Sequence, residues 1–149
     1  MRTDSKNLRI VLTDDDAEDC DLFREALGIV DPNVVLEIVH NGRELLDHLH
    51  HTPAGLPHLV LLDLNMPVMD GMECMAALRG DHRLRDLTVV IFTTSSSGHD
   101  IERSRGAGAN GYICKPACFQ KLREVIGLVL DTDWKREGKP ASGQFHIAL

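Results

Sequence analysis

Apolar residues in this chain come in two patterns: short unbroken runs, and stretches in which they return every three or four positions. The runs are "LRIVL" (8–12), "VVLEIV" (34–39), "HLVLLD" (58–63), "LTVVIF" (87–92) and "NGYIC" (110–114). Short Val/Ile/Leu runs without alternation suit strands covered on both faces, so five strands of a parallel sheet are predicted. Between them, "AEDCDLFREALGIV" puts Leu22, Phe23, Ala26, Leu27 and Val30 on one helical face, and Gly28 predicts fraying near its end. Helical spacing recurs in "GRELLDHLHH" (42–51), "GMECMAALRG" (71–80), "GHDIERSRGAG" (98–108) and "CFQKLREVIGLVLD" (118–131). Strand and helix alternate strictly, which predicts a doubly wound α/β fold, because right-handed crossovers place helices on both faces of the sheet. Functional residues are then expected beyond the carboxyl ends of the strands.

A length of 149 residues with 43% hydrophobic content suits one core. The division expected is a short extension over 1–7, a folded domain over 8–130 and a tail over 131–149. The tail, "DTDWKREGKPASGQFHIAL", has no clear period; Trp134 and "FHIAL" are expected to fold back, to bind a neighbouring subunit or to fray. A net charge of −7 supplies no basic face, which argues against nucleic acid. The opening "MRTDSKNLRIVLTDDD" holds too short an apolar stretch for a signal peptide or a membrane span, so a cytoplasmic protein is expected. Cys20, Cys74, Cys114 and Cys118 form no Cys-x-x-Cys pair and are expected to be free, small apolar fillers.

The candidate chemistry lies where the strands end. "DDD" (14–16) follows the first, Asp63 ends the third, "TTSSS" (93–97) follows the fourth and "KP" (115–116) the fifth. Carboxylates, a hydroxyl and an ammonium on one rim share an obvious ligand pair, a hard divalent cation and a phosphoryl group. Carboxylates about 4 Å apart repel by roughly 4 kcal/mol per pair at an effective dielectric near 20, so an empty cluster would be strained. Taken singly the elements are ordinary: Asp16 reads as a helix N-cap, "TTSSS" as a cap and loop, and Gly71 as a turn residue needing positive φ. His48 and His51 in "HLHH" lack any completing ligand set and read as a solvated helix end.

Together, the acids in "VLTDDD", the stretch "LLDLNMPVMDG", "FTTS" and "GANGYICKP", in this order and spacing, resemble the CheY-like receiver domain of two-component response regulators. The resemblance covers about residues 8–130. It implies a flavodoxin-like (βα)5 fold with strand order 2-1-3-4-5. It implies Asp63 as the acceptor of a phosphoryl group from a sensor histidine kinase, with Thr93 and Lys115 binding phosphoryl oxygens. It implies Mg²⁺, replaceable by Mn²⁺, held by Asp15 and Asp63, by Asp14 through water and by the backbone carbonyl of Asn65. It further implies Tyr112 as an aromatic switch that moves with Thr93, and a cis peptide between Lys115 and Pro116.

No output domain is recognisable after residue 130, so signalling is expected through contact with a downstream target or phosphotransfer protein. A homodimer through the helix 4–strand 5–helix 5 face or through the tail is a further expectation. "VLTDDDAEDCDLFREAL", the segment 79–97 and the tail are similar to single-domain regulators paired with bacterial phytochromes, which points to a bacteriophytochrome kinase. Two other classes compete: a receiver-like scaffold that binds without phosphorylation, and an aspartyl-nucleophile phosphatase. The phosphatase reading is disfavoured because Asn65 stands where such enzymes carry their second acid. The protein is therefore expected to be a phosphoacceptor and not an enzyme.

Overall fold

The computed structural model describes residues 8–132, 134 and 145–147; the extension 1–7 and most of the tail lie outside the described residues. Strands β1 (Arg9–Thr13), β2 (Val35–Val39), β3 (Leu59–Leu62), β4 (Val89–Thr93) and β5 (Gly111–Cys114) alternate with α1 (Ala17–Val30), α2 (Gly42–His51), α3 (Gly71–Gly80), α4 (Gly98–Gly106) and α5 (Phe119–Asp131). The predicted five strands lie parallel in the order 2-1-3-4-5. Gly28 does not end α1, which runs on to Val30 with its cap at Asp31.

The sheet has one more strand than the sequence pattern gave. β6 (His146–Ile147) pairs in parallel with β5 and extends the order to 2-1-3-4-5-6. Part of the tail thus folds back. Phe145 is buried, its carbonyl accepts from Tyr112 N–H at 2.8 Å, and its ring lies 4.4 Å from the Arg105 guanidinium carbon. Trp134 is buried too; its indole N–H donates to the Val129 carbonyl at 3.0 Å and its ring covers Gly111. A Cβ at Gly111 would sit 2.4 Å from that ring, so only glycine lets the tryptophan lie against β5.

Apolar residues on the two faces of the sheet make separate cores. One joins Val11, Val60, Leu62 and Ile91 to α2 and α3. The other joins Ile10, Leu12, Leu61 and Val90 to α1 and α5, where Phe23 meets Phe92 edge to face at 5.7 Å. The helix starts are set locally. Asp16 caps α1 by accepting from the N–H groups of Glu18 and Asp19, and Asp70 and Glu73 close a reciprocal capping box at α3. Arg79, near the end of α3, ties that helix to the α4–β5 turn and to the approach of β4. Its five N–H donors all reach acceptors: the carbonyls of Gly108, Arg85 and Leu87, and Asn110 Oδ1. Among the described residues, no helix is long and apolar enough to cross a membrane.

Candidate functional site

Backbone pairing brings the strand-end residues together. Asp14 N–H donates to Val39 O at 3.0 Å and Asp63 N–H to Thr13 O at 3.1 Å, which sets Asp63 beside the acids that end β1. Lys115 N–H donates to Thr93 O at 2.8 Å and so sets the lysine beside the end of β4. Carboxylate oxygens of Asp14, Asp15 and Asp63 all lie within 4.8 Å of one another. Asp14 and Asp63 are buried, and Asp15 is exposed and lines an open cleft with Asn65.

The Lys115 ammonium sits among three carboxylates, 2.7 Å from Asp14 Oδ2, 3.0 Å from Asp19 Oδ2 and 3.1 Å from Asp63 Oδ2. Burial alone would lower the lysine's pKa; the Asp14 hydrogen bond, the charges of Asp63 and Asp14 and the Asp19 bond outweigh it and hold the group above the usual lysine range. At Asp14 burial wins: it raises the carboxyl pKa although Lys115 and the Asp16 N–H both favour the ionised form. The Thr93 hydroxyl is fully buried and has no hydrogen-bond partner. An unpaired buried hydroxyl at a strand end is a donor available to an incoming acceptor. An oxygen-only cluster with this much negative charge fits a hard dication such as Mg²⁺.

Tyr112 is turned fully inward and its hydroxyl donates to Ser95 O at 2.9 Å. Burial raises its phenol pKa, an effect only partly offset by that bond. Ser95 Oγ in turn donates to Asp100 Oδ2 at 2.6 Å, so β5, the β4–α4 loop and α4 form one hydrogen-bonded unit.

Several expectations are corrected. Among the described residues no cis peptide bond occurs, so Lys115–Pro116 is trans; the lysine reaches its three carboxylates from the trans form, which X–Pro bonds prefer by about 0.5–1 kcal/mol. Gly71 does not have positive φ. Its constraint is space: a Cβ there would sit 2.5 Å from Asp63 O and 2.7 Å from Leu64 Cα, so a bare backbone lets α3 begin directly against the Asp63 carbonyl. The positive φ of this loop belongs to Val68, at 68°, a strained setting for a β-branched residue. The histidines of α2 form the solvated helix end expected: His50 and His51 are exposed and His48 is half-buried, with His50 paired to Asp81 at 2.7 Å, His48 3.3 Å from Glu37 and His51 Nδ1 2.8 Å from Asp47 O. They belong to no metal-binding group among the described residues. The four cysteines are free as expected, but Cys118 is exposed and no core filler. Asp19 is the residue that sequence reasoning missed, its signal being an acid one helical turn beyond Asp15.

Comparison with known proteins agrees with this geometry. The response regulator receiver domain family matches residues 10–127. The probable methanogenesis regulatory protein FilR2 of Methanothrix harundinacea is 35% identical over 71% of this chain and 72% of its own length. Among solved structures, the phosphorylated cyanobacterial phytochrome response regulator RcpA superposes with a TM-score of 0.78 at 29% identity, covering 91% of this chain and 99% of its own. The Mn²⁺-bound form of response regulator Rcp1 gives a TM-score of 0.74 at 27% identity, over 87% and 95% of the two chains. With its fold, strand-end acids and matched length in agreement, the chain belongs to the response regulator receiver domain family.

Proposed function

We propose that this receiver domain accepts a phosphoryl group on Asp63 from the phosphohistidine of a sensor histidine kinase. The observation that carries the reading is the Lys115 ammonium held 3.1 Å from the Asp63 carboxylate, with the lysine's backbone N–H paired to Thr93, whose own hydroxyl is buried and unpartnered. A carboxylate oxygen of Asp63 attacks phosphorus, the phosphorus–nitrogen bond breaks, and its electron pair stays on the kinase imidazole. Lys115 and Thr93 donate to the transferred phosphoryl oxygens, where charge is concentrated. Mg²⁺, or Mn²⁺ in its place, held by Asp14, Asp15, Asp63 and the Asn65 carbonyl, supplies charge neutralisation when bound.

The output follows the hydrogen-bonded unit beyond Thr93. Drawing the Thr93 hydroxyl toward the phosphoryl group moves the loop that carries Ser95, the acceptor of Tyr112, and so biases the α4–β5 surface that a downstream protein reads. Phe145 and His146 pack against Tyr112, which makes β6 part of that surface, and the outer edge of β5 is taken by β6 and is not free to pair with a second copy. The likeness to RcpA supports a phytochrome-type kinase as the donor.

Beryllofluoride with Mg²⁺ tests the reading without a kinase. It is expected to raise the melting temperature of the wild type by several degrees and to leave Asp63→Asn unchanged. An equal rise in both proteins would contradict it.

A further inference from the structure

Asp19 has no part in the carboxylate cluster that could hold a cation, which comprises Asp14, Asp15 and Asp63. Yet its carboxylate lies 3.0 Å from the Lys115 ammonium. The local structure of α1 explains why the side chain is available. Asp19 occupies the third position of the helix, from which an acid ordinarily reaches back to the N–H of the N-cap residue. Here the N-cap residue is Asp16, and its N–H already donates to Asp14 Oδ1 at 3.0 Å. With that donor taken, the Asp19 carboxylate turns across to β5, while its own backbone N–H donates to Asp16 Oδ1 at 3.1 Å.

An ammonium has three N–H donors, and those of Lys115 meet Asp14, Asp63 and Asp19. The Phe92 ring lies 5.8 Å away, an apolar neighbour that offers no acceptor of comparable strength. In the reaction proposed above, two of the three partners change: Asp63 becomes an acyl phosphate, and Asp14 is shared with a cation. Asp19 is the one partner that neither reacts nor belongs to the carboxylate cluster that could hold a cation.

We infer that Asp19 is a positioning residue that anchors the Lys115 ammonium at the rim of the site while Asp63 is being phosphorylated. The role rests on the proposed phosphoacceptor function. It follows from geometry, because a four-carbon stem lets an unanchored ammonium sweep through many rotamers, and a fixed donor is worth more to a developing phosphoryl charge than a mobile one. The side chain of Asp19 is 37% exposed, so the anchor is a partly solvated ion pair and its effect is modest.

The test measures the rate of Asp63 phosphorylation against acetyl phosphate concentration, with Mg²⁺, in four proteins: wild type, Asp19→Ala, Lys115→Met and the double variant. Asp19→Ala is expected to slow the wild-type reaction by roughly two- to fivefold, the span an exposed ion pair supplies. In the Lys115→Met background the same substitution is expected to change nothing, which a merely structural role in α1 would not produce. Asp19→Glu, able to reach the same ammonium, is expected to restore most of the rate. Equal slowing in both backgrounds, or no slowing in either, overturns the anchoring role alone. A wild type that takes up no phosphoryl group overturns the proposed function and this role with it.

Discussion

Lys115 Nζ lies 2.7 Å from Asp14 Oδ2, joining the end of β5 to the end of β1 across the rim of the sheet. The ammonium is the only cation within salt-bridge distance of Asp14 and Asp63 among the described residues, so its removal leaves two buried carboxylates uncompensated. Lys115→Met is expected to cost about 2 kcal/mol of stability in metal-free buffer, short of the roughly 3–5 kcal/mol for a fully buried pair. Because the folded protein holds this lysine above its ordinary value of 10.5, the contribution is complete below that pH and is lost as pH rises through the folded pKa. Urea denaturation of both proteins is expected to show a constant difference from about pH 7 to pH 10, narrowing only at higher pH. A difference that vanished near neutrality would contradict the assignment.

Mg²⁺ is expected to stabilise the folded chain by mass action. At tenfold excess over its dissociation constant it adds about 1.4 kcal/mol, a rise of about 3–5 °C in melting temperature for a domain of this size. Asp15→Asn is expected to weaken the dependence, since Asp15 is the exposed member of the carboxylate cluster. An undiminished Mg²⁺ effect in that variant counts against Asp15 as a ligand.

Arg79 makes the other dense polar cluster, far from the acids. Truncation to alanine leaves the carbonyls of Arg85, Leu87 and Gly108 without this donor. A loss of about 2–3 kcal/mol is expected, read as about 5–10 °C in melting temperature. Arg79→Lys should recover little, because an ammonium cannot reproduce the planar fork. Full recovery by lysine would show that charge, and not the fork, is what matters.

Native-state alkylation with iodoacetamide separates the cysteines. Burial pushes the Cys20 thiol up to about 11 and the Cys74 thiol up to about 12, whereas Cys118 is exposed. The thiolate is the reacting form, so Cys118 is expected to be labelled first and Cys20 and Cys74 only after unfolding. Early labelling of Cys74 would mean that α3 opens in the native state.

The residues that end strands were legible because a carboxylate, hydroxyl or lysine stands out after an apolar run. Asp14, Asp15, Asp63, Thr93 and Lys115 were found in that way, and the structure places their strand ends on one rim. Asp19 was not, because an acid in the first turn of a helix already has a sufficient explanation in the helix dipole. Arg79 left no trace because all but one of its partners are backbone carbonyls, which every sequence has. β6 escaped because two residues cannot show a period, and its pairing depends on Trp134 and Phe145 finding β5 from far along the chain. Gly71 and Val68 show how one loop misleads: the glycine serves close approach to Asp63, and the positive φ falls on the valine.

The most direct test of the central claim is intact mass after incubation with acetyl phosphate and Mg²⁺, for wild type and Asp63→Asn side by side. The account predicts one added phosphoryl group in the wild type and none in the variant. Equal uptake by both proteins, or none by the wild type under conditions where hydrolysis is too slow to hide it, would contradict Asp63 as the phosphoacceptor.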